Sequence, residues 1–97
     1  MWYKLNEDKT FKKCDVFNSS IVILFTTETN DYKVSTIFLG IDHNSIKNNN
    51  DPILFETMVF FKGYKASDLQ YRTRTYEQAK LIHNILVKNM KKKYEEK

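Results

Sequence analysis

One cysteine, one proline and two glycines in 97 residues exclude several classes at once. A lone thiol forms no internal disulfide. So little glycine and proline excludes collagen-like and linker-like chains, and leaves no material for a phosphate-cradling loop or a nucleophile elbow. The longest apolar run, Ile21 to Phe25, is far short of the roughly 20 residues that a membrane helix needs. The opening Met-Trp-Tyr-Lys-Leu-Asn-Glu-Asp is too acidic and polar for a signal peptide, so the expectation is a cytosolic chain without a membrane partner. Acidic residues are the minority, and the net positive charge argues against a DNA mimic, which would have to be strongly acidic.

What is present is a globular composition. Apolar residues make up 41% and charged residues 29% of the chain, and the length is a prior for a single domain over residues 1–97. Seven Phe, six Tyr and one Trp supply large rings to a small core. Nine asparagines and fourteen lysines, against two arginines, point to an AT-rich genome such as that of a low-GC bacterium or its phage.

The formal charge is +4, and it is unevenly placed. Residues 85–97 hold five lysines and two glutamates, or +3, whereas the rest of the chain holds eleven basic and ten acidic groups, or +1. Lysines at the end of a helix complement its negative pole. The same run, Lys88, Lys91, Lys92 and Lys93, is the place where a nucleic-acid phosphate or an acidic protein would touch.

Trp2–Leu5 and Phe11–Cys14 flank a polar cluster and read as a hairpin. Asp15 to Ser20 reads as a connector. Ile21–Thr27 is β-branched and reads as a strand. Thr29–Tyr32 is a turn, and Lys33–Ile41 a strand whose near-continuous apolar half implies cover on both faces. Asp42–Pro52 is Asn-rich and loop-like. Ile53–Phe61 is the most apolar strand, and Gln70–Arg74 alternates like an edge strand. Thr75-Tyr76-Glu77-Gln78 matches a capping box. It opens a helix to about Tyr94, with Ala79, Ile82, Leu86 and Met90 as its inward stripe. The sum is an α+β domain of about six mostly antiparallel strands, with one long C-terminal helix packed on the sheet.

The chemistry-bearing residues are few. Cys14 is the only cysteine, and His43 and His83 are the only histidines. A thiolate with two imidazoles is a zinc donor set, completed by a carboxylate or water. Glu56 is the best fourth ligand, because a carboxylate within an apolar strand needs a partner, with Asp42 and Asp15 as alternatives. Each residue also has a plain structural role, the histidine as a hydrogen-bonded core group and the cysteine as a small hydrophobe. Arg72 and Arg74 share one side of an edge strand, where they guard it or meet a partner. No nucleophile and base have supporting spacing, so catalysis is not expected.

Val34 to Asn44 (VSTIFLGIDHN) and Pro52 to Phe60 (PILFETMVF) resemble two strand motifs of a family of small phage- and prophage-borne proteins. The similarity extends to the pair Cys14-Asp15 and to a helix containing Ala79 and His83, about half the chain in all. Two features depart from the pattern: the loop after Asp42 is Asn-rich where the family tends to be Gly-rich, and the segment after Cys14 is more strand-like than helical. Small proteins of this sort include anti-CRISPR proteins, some of which carry zinc. The resemblance implies Cys14, His43 and His83 as ligands of a structural zinc. It also implies a binding protein that acts in the cytoplasm of a bacterial host by stoichiometric inhibition of an RNA-guided CRISPR nuclease. The partner surface is open, with Arg72, Arg74, Lys88, Lys91 and Lys92 as the residues to consider. The alternative is a nucleic-acid-binding phage accessory protein that uses the C-terminal lysines.

Overall fold

The computed structural model describes residues 2–14, 22–41, 52–63 and 65–94. The expected connector at Asp15–Ser20 and most of the Asn-rich loop lie outside the described residues. In chain order the elements are β1 (Trp2–Leu5), β2 (Phe11–Cys14), β3 (Val22–Glu28), β4 (Tyr32–Phe38), β5 (Phe55–Phe61), β6 (Lys65–Thr73) and α1 (Tyr76–Tyr94). Strands β1 and β2 form a separate hairpin, and the rest form an antiparallel sheet in the order β3-β4-β5-β6. The fold is α+β.

The hairpin turn is made without glycine. Lys9 takes the left-handed conformation at φ 71°. The turn is stitched by Asn6 N–H to Thr10 O at 2.7 Å and Lys9 N–H to Asn6 O at 3.0 Å. The Asp8 carboxylate accepts from the Thr10 hydroxyl and amide, which holds its pKa below the ordinary value. Gly40, at φ 76°, lets the chain turn after β4 so that its carbonyl accepts the Tyr3 amide at 2.8 Å. This docks the hairpin on the end of the sheet, where Phe11 packs edge-on against Phe55.

The central strands β4 and β5 pair without a slip from Tyr32↔Phe61 to Phe38↔Phe55. Both edge pairings contain a bulge, in β3 between Ile23 and Phe25 and in the β5–β6 pair between Met58 and Phe60. Three strand bounds differ by two residues or more from those expected: β4 ends at Phe38 rather than Ile41, β5 begins at Phe55 rather than Ile53, and β6 begins at Lys65 rather than Gln70. On β4 Tyr32, Val34, Thr36 and Phe38 are buried, and Lys33, Ser35 and Ile37, with Leu39 and Ile41 beyond the strand, are half-buried, so the second face is partly covered.

Helix α1 follows its sequence signals closely. The Gln78 amide donates to the Thr75 hydroxyl at 3.1 Å, and the Thr75 amide donates to Gln78 Oε1 at 3.3 Å, closing the capping box. Ala79, His83, Leu86 and Met90 are buried against the sheet; Ile82 flanks that line. Two apolar clusters result: Tyr32, Val34, Val59, Leu86 and Met90 at one end, and Phe38, Leu54, Phe55 and Ala79 at the other. Between them the strands carry threonine.

Candidate functional site

Thr36 on β4 and Thr57 on β5 are register partners and both are fully buried. Their hydroxyls are 2.7 Å apart. Above them His83 descends from α1, with Nδ1 2.8 Å from the Thr36 hydroxyl and Nε2 3.0 Å from the Thr27 hydroxyl of β3. A neutral imidazole offers one donor and one acceptor, and a hydroxyl serves either role, so every member of this row is satisfied without a charge. Burial pushes the imidazole pKa below its ordinary 6.5, in keeping with a neutral ring. Phe25, with its ring centroid 5.5 Å from that of His83, closes one side. The arrangement ties three strands and the helix together at the only level of the described core that is not apolar.

Glu56 belongs to the other face of the sheet. It neighbours Thr57 in β5, and successive strand residues point to opposite faces. Its Oε2 accepts from Gln70 Nε2 at 2.6 Å and from Arg72 Nε at 3.0 Å. Arg72 is its register partner on β6. The partner that a buried carboxylate needs is therefore a guanidinium.

The four residues expected to hold zinc are thus distributed as follows. His83 lies under the helix and Glu56 on the opposite face, so these two cannot share an ion. Cys14 ends β2, with its thiol 3.8 Å from the Lys12 carbonyl. His43, like the alternative ligands Asp15 and Asp42, lies outside the described residues. Among the described residues no three His, Cys, Asp or Glu side chains come together.

The surface residues are brought together more than the sequence implied. Arg72 and Arg74, with Ile53, Leu81 and Ile82, line a surface depression of about 450 Å³. Leu81 is 60% exposed, and Ile85, one turn further, is 44% exposed. Lys88, Lys91 and Lys92 are exposed, whereas Lys93 folds back over the Phe61 ring, 5.2 Å from its centroid. At the far end of α1, Tyr94 stacks on Tyr32 at 5.8 Å. No described helix is long and apolar enough to cross a membrane.

Sequence reasoning missed Thr27, Thr36 and Thr57. Their signal was present: each interrupts an apolar or alternating strand at a position that should face the core. Only the strand register shows that Thr27 and Thr36 meet one histidine, with Thr57 bonded to Thr36 beside it. No family model, curated protein or solved structure matches this chain.

Proposed function

We propose that this chain is a stoichiometric binding protein that inhibits a host RNA-guided nuclease by occupying it, in the manner of an anti-CRISPR protein. The observation that carries this reading is how the fold distributes its groups. Among the described residues the buried histidine and carboxylate, His83 and Glu56, are both consumed in holding elements together. Large apolar side chains remain in solvent at the sheet edge, Val22 and Ile23, and on the outer helix, Leu81 and Ile85. A chain built this way offers surface rather than a reacting group. The resemblance adds support, and its two motifs include Val34–Phe38 of β4 and Phe55–Phe60 of β5, the in-register pair at the centre of the sheet. Occlusion of a channel or arrest of a conformational step follows from binding alone. The test mixes purified protein with a guide-loaded nuclease. Complex formation with loss of DNA cleavage supports the reading, and unimpaired cleavage at several-fold excess rejects it.

A second reading is nucleic-acid binding through the lysine run. It is favoured by the exposure of Lys88, Lys91 and Lys92 along a helix that carries no acidic residue from Gln78 to Tyr94. Binding would weaken steeply with salt. Absence of affinity for single- and double-stranded DNA and RNA at low salt rejects it.

A further inference from the structure

Leu81, Ile85, Lys88 and Lys92 follow one another at steps of four, three and four residues. At 3.6 residues per turn these positions fall within a strip about 60° wide. The strip lies opposite the buried line Ala79, His83, Leu86 and Met90. It runs for about 16 Å along the helix at 1.5 Å per residue. Its first half is aliphatic and its second half basic. At the aliphatic end it opens into the depression between Arg72 and Arg74, of which Leu81 is a wall. The Arg72 charge is answered by Glu56, but Arg74 has no carboxylate partner among the described residues. Glu77, one turn before Leu81, is the nearest acid on the helix, and none follows it before Tyr94.

We propose that this outward side of α1, from the Arg74 depression to Lys92, is the docking seam for an acidic amphipathic helix of the protein partner. The proposal rests on the reading of the chain as a protein-binding inhibitor, and supplies its contact surface. Steps of four and three are the spacing with which one helix receives another. Apolar residues of the incoming helix cover Leu81 and Ile85, its carboxylates meet Lys88 and Lys92, and one further carboxylate reaches Arg74. Charge excludes a second copy as the occupant. Antiparallel copies centred on Leu81 and Ile85 bring Lys92 of one toward Arg74 of the other, and parallel copies set Lys88 against Lys88. Both arrangements oppose like charges on a chain already at +4.

The experiment compares wild type with Leu81→Ser/Ile85→Ser and Lys88→Glu/Lys92→Glu. All four positions are exposed, so thermal melts should match. Against a guide-loaded nuclease, each double variant should bind at least about tenfold more weakly than wild type. If wild type binds and the variants bind equally well, the seam is wrong while the inhibitor reading stands. If wild type does not bind the nuclease, the inhibitor reading falls, and the seam is then decided by a synthetic probe. That probe is a labelled amphipathic helix with leucines along one half and glutamates along the other, followed by anisotropy. Binding that is lost in both variants and against a lysine-for-glutamate control peptide supports the seam. No binding, or binding indifferent to the substitutions, overturns it. So does a wild-type dimer in sedimentation that Leu81→Ser/Ile85→Ser converts to monomer.

Discussion

His83 Nδ1 lies 2.8 Å from the Thr36 hydroxyl, a bond between the helix and a central strand at the one level where the described core is polar. A histidine here costs desolvation, yet its neighbours are threonines whose hydroxyls answer either ring nitrogen. The row therefore aligns α1 on the sheet. Leu86 and Met90 fall on one apolar cluster and Ala79 on the other.

Removing the ring tests this row. His83→Ala removes the imidazole from the Thr27 and Thr36 hydroxyls, leaving Thr36 with Thr57 alone, and opens a void; it should cost about 2–4 kcal/mol. Thr36→Val should cost more than Thr57→Val, roughly 1–3 against 0.5–1.5 kcal/mol, because the Thr36 hydroxyl meets both other groups. Urea unfolding of the three variants measures the order, and equal losses at Thr36 and Thr57 contradict the geometry.

Stability should depend on pH with a defined sign. Burial holds the His83 pKa below 6.5, so in mildly acidic solution the unfolded chain binds a proton that the folded chain refuses. The contribution is complete above 6.5 and is lost as pH falls from there through the folded-state pKa. The Asp8 shift acts below its ordinary 3.8, outside the pH range of this test. Urea midpoints between about pH 7.5 and 5.5 should fall in wild type and stay flatter in His83→Gln. A wild-type midpoint that rises on acidification would sink the assignment of a neutral ring.

Arg72 is worth more to stability than an ordinary surface arginine. Arg72→Ala leaves the Glu56 carboxylate buried with only Gln70 as a described side-chain donor, and should cost about 1–2 kcal/mol. The figure is held down because the Arg72 side chain is 44% exposed and solvent screens the pair. Arg72→Ala/Glu56→Gln should recover part of that loss in thermal melts, since the second change removes the stranded charge.

Metal analysis addresses the expected zinc ion directly. Glu56 faces away from His83, so Glu56→Gln should leave the zinc content of the purified protein unchanged. His83 has both nitrogens engaged by hydroxyls, and wild type and His83→Ala should likewise read the same. One equivalent of zinc that disappears in His83→Ala would show that the ring trades a threonine for an ion.

The C-terminal lysines must be tested by substitution rather than deletion. Ending the chain after Val87 removes Met90, a core residue, and Tyr94, which packs against the same cluster, and should cost several kcal/mol, about 2–5 from Met90 alone. Replacing Lys88, Lys91 and Lys92 with alanine should change stability by no more than about 0.5 kcal/mol, because all three are exposed. Loss of partner or nucleic-acid affinity in that triple variant then reports the charge alone.

Local patterns were legible wherever the signal lay within a few residues. Thr75 and Gln78 announced the helix, and their side chains cap it as read. Trp2–Leu5 and Phe11–Cys14 announced the hairpin. The start of β6 was not legible, since Lys65 to Asp68 carries no alternating apolar pattern. Its pairing is supplied by the apolar neighbour strand β5, across a bulge. Glu56 was correctly read as needing a partner, but Arg72 is sixteen residues away, and pairing across strands leaves no mark on local spacing.

By itself the sequence determined the class of fold, the bounds of the hairpin strands and of α1, and the side of α1 that turns inward, because capping, alternation and helical period act through adjacent residues. Which polar groups meet was decided only by the tertiary structure. His83 and Glu56 are both buried and ionisable, and a one-residue step in β5, from Thr57 to Glu56, separates the face that receives the imidazole from the face that receives the guanidinium. The strand's period of two makes that division, and the register of the neighbouring strands supplies each side with its partner.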